Sequence, residues 1–389
     1  MKIIPKTEDQ NSIAIVVVGY NRLREIKRLL GSLQDAIYET CDVPLVISID
    51  SSGYTELYDY VRSFDWKHGN KYVNIQEERL GLKEHIFQCG DLTESFKGVI
   101  ILEDDLFVSP YFYKYAQEAL DYYKDDDKIA GISLYSPTTN ALAQLPFLPM
   151  QDGNSVYTYQ DVASWGELFN SRMWSCFRKW LKEWNQDFAS VDMPEVIKTW
   201  TKAWSKFFFS YMIETNRFFL FPHVSLTTNF NDSQGEHGEG GNPWTQYSLL
   251  MGPTKYCYAP SSELVKYDVY CHNYGLYEWL GLKQEELEID LYGTKGAINK
   301  RHYLLSVSVL PYKLLKSFAL SMRPIEMNIK YQLDGKGIYL YDTTISDTAK
   351  TKYHTYQFLT YMLQGFNPRL VFDYSRTFVV RYIKNKLFR

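Results

Sequence analysis

The stretch Gly98-Val99-Ile100-Ile101-Leu102-Glu103-Asp104-Asp105 joins an uninterrupted apolar run directly to three adjacent acids. A run this short, apolar and β-branched fits a strand buried on both faces. Three neighbouring carboxylates repel and raise one another's pKa. A divalent cation removes that cost, and hard oxygen ligands suit Mg2+ or Mn2+. Mg2+ is typically held by one or two carboxylates together with substrate phosphates, which keeps the protein's own ligand set short. Taken alone, the triplet is a weak motif, and a solvated turn is its commoner reading. Its position in the chain decides between the two.

Upstream, Ile13-Ala14-Ile15-Val16-Val17-Val18 is a second apolar run, followed by Gly19-Tyr20-Asn21-Arg22 and a helical face of Leu23, Ile26, Leu29, Leu30 and Leu33. Residues 44–49 form another run that ends on Asp50-Ser51-Ser52-Gly53, residues 72–75 a weaker one, and residues 82–92 a helix. Strands alternating with helices imply βαβ units and a mostly parallel sheet, hence an α/β fold. Ligands of such sheets bind outside the carboxyl ends of the strands. Those ends carry Asn21, Arg22, Asp50 and the 103–105 triplet, so polar groups converge on one edge. There Asp50 would accept hydrogen bonds from a base or ribose, and Arg22 would offer its guanidinium to a carbonyl or phosphate.

Downstream, Ser109-Pro110 reads as an N-cap with proline at the first helical position. Phe112, Ala116, Ala119, Leu120 and Tyr123 face inward, and Asp125-Asp126-Asp127 ends the helix. Residues 129–134 form a further strand. The segment 145–243 is rich in Trp and Phe and poor in periodicity, and its last part, 229–243, has the Gly-rich composition of a lid. From about residue 299 the pattern turns to basic amphipathic stretches, 304–320 and 375–389 among them. Neither an internal repeat nor a low-complexity tract is present.

A chain of 389 residues that is 45% hydrophobic and 23% charged has the makings of a globular protein with a sizeable core. Aromatic residues make up 16% of it, and such side chains fill cores but also stack on sugars and bases. The net charge of -4 argues against general nucleic-acid binding. That charge is uneven, with 14 Lys+Arg against five Asp+Glu in residues 301–389 and 28 against 41 before them. Cys41, Cys89, Cys176, Cys257 and Cys271 are scattered and odd in number, as in a reducing compartment. Residues 1–11 lack signal-peptide order, and no apolar stretch reaches the ~20 residues that span a bilayer. A cytoplasmic protein is expected.

Four blocks resemble the inverting GT-A glycosyltransferases typified by N-acetylglucosaminyltransferase I. They are Val16-Val17-Val18-Gly19-Tyr20-Asn21-Arg22, residues 44–50, Ile101-Leu102-Glu103-Asp104-Asp105-Leu106 with Ser109-Pro110-Tyr111-Phe112, and Ser164-Trp165-Gly166. The resemblance covers residues 13 to about 240. It implies a GT-A (Rossmann-like) catalytic domain over residues 1–260, a mostly parallel sheet flanked by helices. Residues 261–389 would be a mixed, basic C-terminal extension serving the acceptor or a membrane surface.

By the same resemblance, Asp105 is the direct Mn2+ (or Mg2+) ligand, and Glu103 and Asp104 contact the ribose, the donor sugar or metal-bound water. Arg22 and Asp50 hold the uracil end of a UDP-sugar. The loop Gly235-Glu236-His237-Gly238 closes over the donor, with His237 near the pyrophosphate, and His85 lies in the region of a donor-contacting histidine of the family. The family's catalytic aspartate sits in a Trp-Asp-Asp-like stretch, where this chain has Trp204-Ser205-Lys206. An inverting transfer needs a base for the acceptor hydroxyl, and the candidates are Asp187, Asp192, Glu214, Asp232 and Glu236. The expected activity is a hexosyl- or N-acetylhexosaminyl transfer from a UDP-sugar to a glycan or lipid-linked acceptor, as in the building of a cell-surface polysaccharide. In the tail, Phe378, Val379, Tyr382, Ile383, Leu387 and Phe388 mix with Arg376, Arg381, Lys384, Lys386 and Arg389, a pattern that fits packing on the catalytic domain first and is also compatible with peripheral contact to an anionic membrane surface. The absent aspartate leaves open a glycan-binding or scaffold protein that keeps the fold without catalysis. A nucleotidyltransferase would carry a Gly-rich basic loop after the first strand, which Gly19-Tyr20-Asn21-Arg22 is not. A retaining transferase would need no base at the matched position.

Overall fold

The computed structural model describes residues 9–39, 42–162, 164–230, 246–295, 301–364 and 367–387. Two compact units divide the chain: Met1–Thr138 with Pro149–Tyr274, and Thr139–Leu148 with Gly275–Arg389. The strands, in order, are β1 (Asp9–Gly19), β2 (Leu45–Ile49), β3 (Lys71–Ile75), β4 (Phe96–Glu103), β5 (Leu106–Val108), β6 (Ile129–Ser133), β7 (Thr139–Asn140), β8 (Leu145–Pro146) and β9 (Val156–Tyr159). They continue with β10 (Glu167–Phe169), β11 (Phe218–Pro222), β12 (Thr227–Asn229), β13 (Lys266–Tyr267), β14 (Leu287–Asp290), β15 (Tyr303–Ser306), β16 (Tyr312–Phe318) and β17 (Ile338–Ser346). The helices are α1 (Leu23–Gln34), α2 (Thr55–Ser63), α3 (Leu82–Gly90), α4 (Phe112–Tyr123), α5 (Ser171–Glu183) and α6 (Glu195–Lys198). After them come α7 (Ser205–Thr215), α8 (Gly275–Leu280), α9 (Met327–Lys330), α10 (Tyr356–Met362) and α11 (Pro368–Leu387).

The first unit is built on a nine-stranded sheet in the order β13-β9-β11-β6-β10-β4-β1-β2-β3. From β3 to β4 the strands are parallel, as the strand–helix alternation requires. β10 lies antiparallel between β4 and β6, and β11 resumes the parallel direction beside β6. The fold is therefore the expected α/β class. Residues 13–18 and 45–49 are buried throughout, and α1 turns Leu23, Ile26, Leu29, Leu30 and Leu33 into the core as its spacing predicts. Register sets the functional edge, because Val18 lies opposite both Ser48 and Glu103. β1, β2 and β4 thus end level with one another.

Two local features differ from the sequence expectation. Between the acids and the following helix the chain inserts β5, paired antiparallel with β12, Leu106 opposite Asn229. The helix then starts at Phe112, later than the Ser109-Pro110 signal, although the Ser109 hydroxyl still accepts a hydrogen bond from the Tyr111 N–H at 3.1 Å. The described parts of the aperiodic segment, 145–162 and 164–230, also prove well structured, around rings rather than a helical stripe. Phe177 and Phe208 stand 4.4 Å apart, and Trp174 and Phe169 pack against them. Trp174 and Trp204 are core side chains.

The second unit carries a mixed four-stranded sheet, β14-β15-β17-β16, and the short hairpin β7–β8. Its β14–β15 pair is parallel and the others antiparallel. The basic stretch 304–320 supplies β15 and β16, and Leu304, Leu310 and Tyr341 form a small core with Tyr312 and Tyr339 packed on it. Buried Glu288 is neutralised by Lys295 and Arg301. Among the described residues, no helix is long and apolar enough to cross a membrane.

Candidate functional site

Arg22 occupies the N-cap position of α1, immediately after β1, and its guanidinium turns back over the end of β4. There it donates to the Asp104 carboxylate and, at 3.3 Å, to Oδ2 of Asp105. Asp104 is buried and Asp105 half-buried. Burial pushes the Asp104 carboxyl up, Arg22 pulls it down, and neighbouring Asp105 raises it again, leaving its pKa at about 7. Burial works against the Arg22 charge, but Asp104 and Asp105 outweigh it and hold the guanidinium above its ordinary pKa. Arg22 therefore sits between two adjacent carboxylates, and Arg28 donates to the Asp105 carbonyl at 3.4 Å.

Asp105 has one oxygen to spare, since its buried Oδ1 has no hydrogen-bond partner. A buried carboxylate oxygen without a partner is costly, and a hard cation relieves that cost. Among the described residues, no three His, Cys, Asp or Glu side chains are gathered closely enough to hold a metal by themselves. The donor set therefore fits a cation held by Asp105 and completed by ligand phosphates and water, and does not fit an all-protein cage.

Asp50, at the end of β2, is buried and held by three backbone N–H groups. Its Oδ1 accepts from the N–H groups of Leu80 (2.8 Å) and Ser51 (2.9 Å), and its Oδ2 from Gly81 (2.9 Å). Gly81 has φ +76, a conformation that favours glycine, and it leads into α3. Asp50 therefore fixes the loop that starts α3 beside the site. On that helix His85 is buried, with Nε2 2.7 Å from the Ser48 hydroxyl. Burial lowers its pKa to about 4, against a smaller upward pull from Asp50, so the ring is neutral near pH 7.

The structure brings Arg22, Asp50, Glu103, Asp104 and Asp105 to one edge, as the strand-end rule anticipates. It does not bring Asp187 or Glu214 there through any described contact. Asp187 is exposed and accepts from the Ala189 N–H in a local turn. Glu214 accepts from the indoles of Trp180 and Trp184 at 3.2 and 3.1 Å, and it precedes β11, whose first residue pairs with the first residue of β6. That junction lies where the parallel strands begin, not where they end. Asp192 is exposed and accepts from the Tyr270 hydroxyl. Asp232, Glu236 and His237 lie outside the described residues. The chain reaches that segment directly from the site: Asn229 pairs with Leu106, and the Phe230 N–H donates to the Asp105 carbonyl at 3.3 Å. At the far end, the Tyr247 N–H donates to the Thr228 hydroxyl.

Sequence reasoning missed Glu167. It opens β10 opposite Ile101 of β4 and Ser133 of β6, in the middle of the sheet. Directly paired strand residues share a face, and so do residues two apart. Glu167 therefore lies on the face of Ile101 and Glu103, diagonally across from Glu103. Its side chain is 1% exposed and its Oε1 has no partner. Burial and then the Glu103 charge push its pKa well above the usual carboxylate range. Gly166 makes this placement possible: at φ +109, a Cβ there would meet Thr227, Leu102 and Leu134 at 3.1–3.3 Å. One sequence signal was available, an acid following Trp165-Gly166 and leading an otherwise apolar strand. The position that carries a catalytic aspartate in the resembling family holds Ser205 and Lys206. The Lys206 ammonium donates to the carbonyls of Lys198 (2.6 Å) and Trp200 (3.0 Å) and lies over the Phe188 ring. It is a structural cation.

No family model matches the chain, and no curated protein matches it. Among solved structures it is similar to S. aureus TarS 1-349, at 12% identity over 57% of this chain and 60% of that one, with a TM-score of 0.36. For the same fragment in complex with UDP-GlcNAc the figures are 13%, 59%, 61% and 0.36. For the mannosyltransferase PcManGT from Pyrobaculum calidifontis, in complex with GDP-Man and Mn2+, they are 12%, 43%, 46% and 0.32. The chain thus matches about 60% of the TarS fragment's length. At these identities the likeness concerns the fold, and the α/β assignment rests on the sheet itself. The chain is an α/β protein with an acidic, arginine-bridged edge at the carboxyl ends of three parallel strands.

Proposed function

We propose that this chain is a metal-dependent glycosyltransferase that moves a hexosyl or N-acetylhexosaminyl group from a UDP-sugar to a glycan or lipid-linked acceptor, with inversion. The observation that carries the reading is the level ending of β1, β2 and β4, which gathers Arg22, Asp50 and the 103–105 acids with one unpartnered oxygen on Asp105. Asp105 would hold Mn2+ or Mg2+, and the bound cation would stabilise charge on the departing nucleoside diphosphate. Arg22 holds Asp104 and Asp105 in place and offers its remaining N–H groups to a phosphate or a uracil carbonyl. Asp50 orders the loop before α3 and has acceptor capacity left for a ribose or base donor. Glu103 and Asp104 would contact the ribose, the donor sugar or metal-bound water.

For the acceptor's proton, Asp232 and Glu236 are the candidates from residues 231–245, and His237 from the same stretch is assigned to the pyrophosphate. Glu167 supplies a buried carboxyl on the Glu103 face. A cytoplasmic site of action and a role in cell-surface polysaccharide assembly belong to the same reading.

Calorimetric titration of UDP with and without Mn2+, beside Asp105→Ala, tests the proposal. Binding should require Mn2+ and weaken by at least the ~10–100-fold typical even of residues that only support a metal ligand. Metal-independent binding, or full binding by the variant, contradicts it. The structural role of Lys206 favours a second reading, a non-catalytic glycan-binding or scaffold protein. Release of free sugar from UDP-sugars above background rules that reading out.

A further inference from the structure

Exposed large apolar side chains are concentrated in the second unit, and most densely on α11. This helix has 20 residues, so it is roughly 30 Å long. Phe372, Tyr374 and Phe378 are 66%, 72% and 59% exposed, and Leu370, Val379 and Tyr382 are exposed as well. At 100° per residue these positions fall within an arc of about 200°. Such a helix is normally buried by something. The same twenty residues include Arg369, Arg376, Arg381, Lys384 and Lys386 against one acid, Asp373. The β16 strand repeats the composition, with exposed Leu314 and Leu315 between Lys313 and Lys316.

Whatever covers α11 must accept aromatic and aliphatic surface and neutralise a net positive charge. A second copy of the helix brings the same charge and repels. Spanning a bilayer is ruled out by the cations, and α11 fails the length-and-apolarity requirement for a span. An anionic lipid surface meets both demands. Its headgroup phosphates take the guanidinium and ammonium groups, and its acyl boundary takes Phe, Tyr and Val.

We propose that α11 docks this chain on an anionic membrane surface, with Phe372 and Phe378 in the acyl boundary and Arg369 and Arg376 on lipid phosphates. Nothing in this proposal depends on the identity of the nucleotide donor.

The test is co-sedimentation of the full chain with phosphatidylcholine vesicles, with and without phosphatidylglycerol, at low and high salt. Binding should appear with phosphatidylglycerol and fall with salt. Each arginine near the surface is worth a factor of about five, so Arg369→Gln/Arg376→Gln should weaken binding roughly 25-fold. Phe372→Ser/Phe378→Ser should weaken it on the order of a hundred-fold. Both variants should keep the wild-type circular dichroism and melting curve, because the replaced side chains are exposed. Equal binding to neutral and anionic vesicles, or variants that bind like wild type, overturns the proposal. So does a dimer by light scattering that the Phe pair abolishes in a chain that ignores vesicles.

Discussion

Asp50→Asn separates a residue that shapes the site from one that only touches ligand. The wild-type carboxylate accepts three backbone N–H groups, two at Oδ1 and one at Oδ2. An asparagine amide offers one oxygen, which goes to the Leu80 and Ser51 side, and its NH2 then meets the Gly81 N–H donor to donor. Hydrogen bonds to a charged partner contribute about 1.5–3 kcal/mol each and neutral ones about 0.5–1.5, so the two retained bonds lose about 1 kcal/mol apiece. The third bond is lost and leaves a donor with no acceptor, costing about 2 kcal/mol more. The expected destabilisation is about 4 kcal/mol, read from urea unfolding at neutral pH. UDP affinity should fall with it, because the loop before α3 loses its anchor. A loss below about 1 kcal/mol would refute the reasoning and leave these bonds dispensable. If UDP binding still vanished, Asp50 would be a direct ligand contact instead.

Two further predictions follow from burial and charge. Glu167 has a raised folded-state pKa, so its contribution to stability is full below its unfolded pKa and is lost as pH rises toward the folded value. Glu167→Gln does not titrate, so in metal-free protein its stability relative to wild type should grow from acid to alkaline pH, and parallel curves would contradict the assignment. For His85 the sign is opposite: its pKa falls from 6.5 to about 4, so its contribution is full above pH 6.5 and is lost as pH falls toward 4. Replacing it by Gln should flatten that acid limb by about 3 kcal/mol in denaturant titrations, and an unchanged limb would place the acid sensitivity elsewhere.

Much of the strand-end edge was legible because its signals are local. Apolar runs at 13–18, 44–49 and 98–102 mark buried strands, and the polar residues that end them must lie together if the strands are parallel and level. The helix start at Phe112 was misplaced because β5 exists only through its pairing with β12, more than a hundred residues away. The candidate bases were scattered because a carboxylate's sequence position says nothing of its partners. Glu214 looks available until Trp180 and Trp184 are seen to bond it.

The sequence by itself determined the α/β class, the parallel strands and the acidic edge, since periodicity and strand ends are properties of contiguous residues. Only the tertiary structure decided that Asp50 anchors three backbone N–H groups and that one oxygen of Asp105 is left over. It alone showed that Lys206 props a turn and that Glu167 is buried beside Glu103. Each of these depends on which distant groups come within about 3 Å and how much water they exclude, and no local pattern encodes that.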